Sequence, residues 1–86
     1  MTTRVLLLTQ EQCPSCDQAK VLLERLVHEY ALEVESIHFN SLEGQSYALQ
    51  GGMLFPPGIV IDGQPFSYGR PSEGKLRRHL ETRQRP

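Results

Sequence analysis

Two cysteines three residues apart, Cys13 and Cys16, stand between a short apolar run and a long amphipathic stretch, and that order constrains the chain more than any other feature. Residues 4–9 hold three Leu beside the β-branched Val5 and Thr9, and this short apolar run reads as a buried strand. From Pro14 onward, Ala19, Leu22, Leu23, Leu26, Val27 and Tyr30 fall at i, i+3, i+4, i+7, i+8 and i+11, which predicts a helix of about 17 residues with one apolar stripe. Asp17, Lys20, Glu24 and Arg25 cover its other face. The cysteines therefore sit where a strand hands over to a helix. Pro14 fits the first helical position, where its missing N–H costs nothing, so Cys13 becomes the N-cap and Cys16 lies one turn inside.

Beyond this unit, residues 34–39 read as a second strand. Val34 and Ile37 are out of phase for a single face, which predicts a bulge or a boundary set elsewhere. Residues 41–50 suit a short helix carrying Leu42, Tyr47 and Leu49, capped by Ser41 and stopped at Gly51-Gly52. Ile59-Val60-Ile61 reads as a buried strand, Asp62-Gly63 as a tight hairpin turn, and residues 65–68 as its partner, with Pro65 marking an edge. Ser72 can cap a last helix over residues 73–82 whose apolar face is Leu76 and Leu80. The order β-α-β-α-β-β-α, with a right-handed parallel pair at the start and an antiparallel hairpin near the end, predicts an α/β fold: a four-stranded mixed sheet flanked by three helices.

At 86 residues, 38% apolar and 22% charged, the chain is expected to form a single domain over 1–86, with any chemistry close to its surface. A net charge of −1 gives no general attraction to nucleic acid or acidic membranes. Residues 1–50 hold three basic and seven acidic side chains, residues 51–86 six and three. Lys75, Arg77, Arg78, Arg83 and Arg85 read as cations of a solvated last helix, near its negative dipole end. The apolar run at residues 5–8 is too short for a secretory signal or a membrane span, so a cytoplasmic location is expected.

A bond between Cys13 and Cys16 closes a loop too small to constrain the unfolded chain, so the pair is no structural framework. A redox couple and half of a metal site are the chemistries open to it. At a helix N-terminus the Cys13 thiolate is favoured and its pKa drawn below the free value of about 8.5, which makes Cys13 the nucleophile. Cys16 is then placed to attack a mixed disulfide at Cys13 and release the reduced substrate. Glu11 and Asp17 oppose the dipole, and Thr9 and Ser15 offer hydroxyls that can support the thiolate. As a metal or cluster handler, the pair supplies two soft thiolates to copper(I), zinc, mercury or an iron–sulfur cluster, and completing the site requires a dimer or external thiols. His28, His38 and His79 are not adjacent to the cysteines in sequence and read as ordinary helix and strand residues.

Cys13-Pro14-Ser15-Cys16, followed by Ala19-Lys20, is similar to the Cys-Pro-Tyr-Cys active site of glutaredoxins. The stretch from Phe55-Pro56-Pro57-Gly58 to Ile59-Val60-Ile61-Asp62-Gly63 is similar to that family's Val-Pro-Gln-Val-Phe-Ile-Asn-Gly segment, with Pro57 on its cis-proline. Over nearly its whole length the chain resembles the thioredoxin-like superfamily, and within it small glutaredoxin-like proteins. Thioredoxin proper is a poorer match, since the Trp before its motif is absent. The resemblance implies a thioredoxin-like fold and a monomeric thiol-disulfide oxidoreductase that reduces protein or low-molecular-weight disulfides. It implies no cofactor beyond the Cys13-Cys16 disulfide, with glutathione or a thioredoxin-reductase-type donor as partner. Pro56, Pro57, Gly69 and Arg70 become substrate-binding candidates beside the supporting Pro14, Ser15 and Thr9. The residue before the cis-proline pairs its backbone with bound substrate in this family. Here it is Pro56, which has no N–H, so one of the two hydrogen bonds that hold glutathione cannot form. Thr9-Gln10-Glu11-Gln12 replaces the family's lysine before the motif. Of the Gly-Gly-x-x-Asp segment that caps the γ-glutamyl end, Gly69 and Ser72 correspond, while Arg70 offers a carboxylate contact from a new direction.

Overall fold

A computed structural model describes residues 2–84; Met1, Arg85 and Pro86, and with them the Arg85 cation assigned to the last helix, lie outside the described residues. Seven elements follow one another: β1 (Thr3–Thr9), α1 (Pro14–Leu26), β2 (Leu32–His38), α2 (Leu42–Gly51), β3 (Gly58–Ile61), β4 (Gln64–Tyr68) and α3 (Glu73–Gln84). The strands form one mixed sheet in the order β2-β1-β3-β4. β1 runs parallel to β2 and antiparallel to β3, which pairs antiparallel with β4. No helix among the described residues is long and apolar enough to cross a membrane.

Side-chain alternation along β1 and β3 divides the core in two. Val5, Leu7, Ile59 and Ile61 meet Ala19, Leu22, Leu23 and Leu26 of α1 and Leu76 and Leu80 of α3 on one face. Leu8 and Val60 meet Phe39, Ala48 and Met53 on the other, where α2 lies. A strand buried on both faces needs apolar residues at every position, which is why residues 5–8 and 59–61 are unbroken apolar runs.

Four expectations are corrected. α1 spans 13 residues, not about 17. Beyond Leu26 the chain tightens into i→i+3 turns, His28 N–H to Arg25 O (3.1 Å) and Glu29 N–H to Leu26 O (3.0 Å), while Tyr30 still packs on the core. β2 runs from Leu32 to His38, so of the two alternatives the boundary set elsewhere holds and the bulge does not: its register with β1 is unbroken from Thr3↔Leu32 to Thr9↔His38. Its phase conflict has another cause: Leu32 packs with the core under α1 and α3, Ile37 with the core under α2. The irregularity falls elsewhere, as a register shift between Ile59 and Val60 opposite β4. In α2, Leu42 and Leu49 are 94% and 82% exposed, and the buried positions are Gly44 and Ala48, with Tyr47 packed beside them. In α3, Arg77 and Arg83 are drawn into ion pairs with Glu29, Glu73 and Asp62 rather than standing free. The Asp62-Gly63 hairpin and the Ser41 and Ser72 caps stand where the sequence puts them, with Gly44 N–H to Ser41 Oγ at 3.0 Å and Lys75 N–H to Ser72 Oγ at 3.3 Å.

Candidate active site

β1 delivers the chain to Gln10, Glu11 and Gln12, and Gln12 turns through a positive φ of 52°. Cys13 follows in an extended conformation as the N-cap of α1, with Pro14 opening the helix. The Cys13 Sγ accepts the Cys16 N–H at 3.1 Å, filling the role that a Ser or Asp oxygen usually plays at a cap. The two cysteines form a disulfide across a Cα–Cα distance of 5.1 Å. Cys13 is 8% exposed and Cys16 2%, so an incoming sulfur can reach Cys13 more readily.

Strand register assembles the rest of this end. Leu8 pairs with Gly58, which sets the end of β1 beside the start of β3 and brings Pro57 to the same edge as the cysteines. The Pro56-Pro57 peptide is cis. Gly58 pairs in turn with Tyr68, and the Gly69 N–H donates to the Pro57 carbonyl at 2.7 Å, tying the end of the hairpin to the proline loop. Thr9 pairs with His38, and its carbonyl accepts the Phe39 N–H at 2.7 Å. Pro57 and Gly69 are buried, Pro56, Thr9 and Ser15 half-buried, Pro14 and Arg70 exposed. Among the described residues neither the Thr9 nor the Ser15 hydroxyl hydrogen-bonds a sulfur, and Arg70 forms no ion pair.

A cleft of about 330 Å³ opens beside Cys16, with Thr9, Glu11, Asp17, Lys20 and His38 in its wall. A larger groove, about 630 Å³ between Leu6, Val34 and Tyr47 on the α2 face, contains neither cysteine. Thiol chemistry, not volume, therefore locates the site. At the cleft the Glu11 carboxylate lies 3.4 Å from His38 Nε2, while His38 Nδ1 accepts the Asn40 N–H at 3.1 Å. In the neutral ring this network places the proton on Nε2, facing Glu11. A backbone N–H foremost, and then the His38 ring, hold the Glu11 carboxyl below its usual range. The Glu11–His38 contact is the part of the site that sequence reading missed; the signal for it was the parallel pairing of β1 with β2, which sets His38 beside Thr9. Among the described residues no group of three or more His, Cys, Asp or Glu is placed to hold a metal ion.

Residues 4–81 match the family described as glutaredoxin-like domain (DUF836). A thioredoxin of Methanocaldococcus jannaschii is 30% identical over 80 residues, which cover 93% of this chain and 94% of that protein. Solved structures share the fold at lower identity. A mutant thioredoxin from Halobacterium salinarum is 21% identical with a TM-score of 0.69, covering 93% of this chain and 73% of that one. A malarial protein is 15% identical with a TM-score of 0.68, covering 95% and 97%. Mitochondrial thioredoxin 3 from Saccharomyces cerevisiae is 17% identical with a TM-score of 0.67, covering 93% and 77%. With the Cys pair capping α1, the mixed sheet in place and the match running along most of its length, the chain belongs to the glutaredoxin-like domain (DUF836) family within the thioredoxin-like superfamily.

Proposed function

We propose that this protein reduces protein or low-molecular-weight disulfides by dithiol exchange, with Cys13 as nucleophile and Cys16 as resolving thiol. The observation that carries the reading is the Cys13 sulfur at the N-terminus of α1, accepting the Cys16 N–H. The same N–H and the positive end of the helix dipole stabilise the thiolate once the disulfide is reduced. Cys13 thiolate attacks one substrate sulfur; a mixed disulfide forms, the substrate S–S bond breaks, and the departing thiolate takes a proton from water. Cys16 then gives its proton to solvent through the adjoining cleft and attacks the Cys13 sulfur. The Cys13–Cys16 bond forms, the mixed disulfide breaks, and the second substrate sulfur leaves as a thiolate. Two electrons have moved from the protein to the substrate, and an external thiol donor, glutathione or a reductase of the thioredoxin type, restores the dithiol. The electrons travel on the two sulfurs, so the cycle needs no resident cofactor. It runs in a monomer, and it suits the reducing cytoplasm, where such a pair is kept cycling.

Exchange of Cys13 and Cys16 one at a time tests this directly. Cys13→Ser is expected to abolish disulfide reduction, and Cys16→Ser to accumulate a mixed disulfide with substrate on Cys13, visible by intact mass. Undiminished turnover in Cys13→Ser would sink the assignment. Visible absorbance or stoichiometric metal in protein purified without reductant would favour soft-metal or cluster handling instead.

A further inference from the structure

We propose that the free edge of β2 takes an extended segment of a partner protein in which apolar residues alternate with Lys or Arg, at a surface separate from the disulfide. This goes beyond the exchange reading and does not depend on it. The sheet has two outer strands, β2 and β4. On β4, Pro65 lacks a donor and interrupts the edge. β2 carries no proline, and among the described residues no backbone group of residues 33–37 has a backbone partner outside the sheet. A strand in parallel pairing spends the groups of alternate residues on its neighbour and points the others outward, so β2 offers a row of donors and acceptors to an incoming strand.

The two faces beside that edge differ. Register with Arg4 and Leu6 sets Glu33 and Glu35 on the α2 face, where Leu6 packs; register with Val5 and Leu7 sets Val34 and Ser36 on the α1 face. On the α2 face, the groove of about 630 Å³ joins Leu6 and Tyr47 to the carboxylates of Glu33, Glu35, Glu43 and Asp62, with Arg4 the one cation of its lining. Asp62 is engaged by Arg83, and Arg4 stands 4.0 Å from Glu33, but Glu35 and Glu43 enter no ion pair among the described residues. On the α1 face, a groove of about 360 Å³ is lined by Leu23, Val27 and Val34, and its Lys20 and Glu24 balance in charge beside His28. Val27 and Val34 are each 38% exposed there. Neither groove contains a cysteine. Successive side chains of a strand point to opposite faces, so a strand added to β2 lays one set in each groove. Apolar side chains fit against Val27 and Val34. A Lys or Arg on the other face runs its stem over Leu6 and Tyr47 and carries its charge toward Glu35 and Glu43. A second copy of this chain is a poor occupant. β2 paired antiparallel with itself about Val34 sets Glu33 against Glu35 twice on one face, and like charges directly opposite destabilise the pair.

The test is an NMR titration of the oxidised, isotopically labelled full-length protein with capped heptapeptides. One alternates Val with Lys, one alternates Val with Glu, and one has the Val and Lys of the first with the Lys grouped at one end. The alternating Val-Lys peptide is expected to shift the amides of residues 33–36 most and to bind about tenfold tighter than either of the others. Of its two alternately N-methylated forms, one is expected to lose binding and the other to keep it, since only one edge of an added strand meets β2. Glu35→Gln is expected to weaken binding roughly threefold, and Glu33→Gln with Glu35→Gln about tenfold. Gln18→Lys changes the net charge as Glu35→Gln does but lies exposed on α1 outside both grooves, and it is expected to leave binding unchanged. Glu33 and Glu35 are exposed as well, so these variants keep the core intact. Equal affinity for the alternating and grouped peptides, largest shifts away from β2, binding kept by both N-methylated forms, or Glu35→Gln no weaker than Gln18→Lys overturns the inference. So does the absence of any shift at millimolar peptide. Shifts at residues 33–36 that grow with protein concentration alone overturn it too, by seating a second copy on the edge.

Discussion

The two ends of the sheet are held together by different means. At the end remote from the disulfide, side chains do the tying. The Gln84 side-chain amide accepts the Ala31 N–H at 3.1 Å and donates to the Ala31 carbonyl at 2.9 Å and to Thr3 Oγ1 at 3.1 Å. Asp62 accepts the Arg4 N–H at 2.9 Å and pairs with Arg83. Arg77 holds both oxygens of Glu29, at 2.6 and 2.8 Å, and reaches Glu73 at 2.9 Å, linking α3 to the chain just after α1. At the disulfide end backbone pairs tie the loops, Phe39 to Thr9 and Gly69 to Pro57, and the side-chain bonds gather on the turn after β2, where Ser41 Oγ donates to the His38 carbonyl at 2.7 Å and Gln45 Nε2 to that of Phe39 at 3.0 Å. There α2 approaches so closely that a Cβ on Gly44 would overlap the His38 carbonyl oxygen and lie 2.7 Å from that of Phe39. Around these close backbone approaches, side chains such as Leu54, Phe55 and Arg70 stand exposed. That is the lesson of the contrast.

The largest expected effect comes from breaking the backbone-held end. Gly44→Ala drives a methyl group into two carbonyls that cannot retreat without disturbing the pairing of Thr9 with Phe39. A destabilisation of about 3 kcal/mol is expected, with a fall in Tm of roughly 10–20 °C, measured by chemical and thermal unfolding. A loss below about 1 kcal/mol would mean that α2 can slide aside and that close approach does not fix this end. The other end gives a smaller and separable effect. Asp62→Ala removes the acceptor for Arg4 and the Arg83 pair and leaves alanine at a φ of 47°, so about 2 kcal/mol is expected. Disulfide exchange per folded molecule should be unchanged. An exchange rate that falls along with stability would show that the two ends are coupled, and the comparison would fail.

What could be read from the sequence follows the same division. The start of α1, the serine caps, the Asp62-Gly63 hairpin and the buried strands each rest on short-range chemistry: a cap, a turn with φ > 0, an apolar run. Features set by partners distant in sequence were misread. α2 carries Leu42 and Leu49 as its most conspicuous apolar residues, yet docks through Gly44 and Ala48, because a helix that must come close to carbonyl groups presents its smallest residues. Hydrophobicity does not report closeness. On the edge strand β2, Glu33, Val34, Glu35 and Ser36 are all exposed, and its two better-buried residues serve different cores, so no single alternation exists to be found. The Glu11–His38 contact became visible only once the β1–β2 register was known.

The smallest expected effect is a pH dependence that belongs to the remote half. His79 on α3 packs against Phe66 of β4, the rings tilted by 48° with centroids 4.8 Å apart. Burial first, and then the nearby Arg83 cation, push its pKa below the ordinary imidazole value, against a weaker opposing pull from Asp62; Lys75 lies over the other ring of this cluster, at 5.8 Å from Phe66. With the folded value lowered, the unfolded chain binds the proton more readily. The stability linked to neutral His79 is therefore fully present above about pH 6.5 and is lost as pH falls through the lower folded value. The depressed carboxyls of Glu11, Glu29, Asp62 and Glu73 also favour the folded state at neutral pH, but their contributions fade only below about pH 4.5. Between those limits His79 supplies the slope. Urea midpoints at pH 7, 6 and 5 are expected to fall for the native protein and to fall less for His79→Gln, a difference smaller than the whole effect of Asp62→Ala. Parallel slopes in the two proteins would remove His79 from the account.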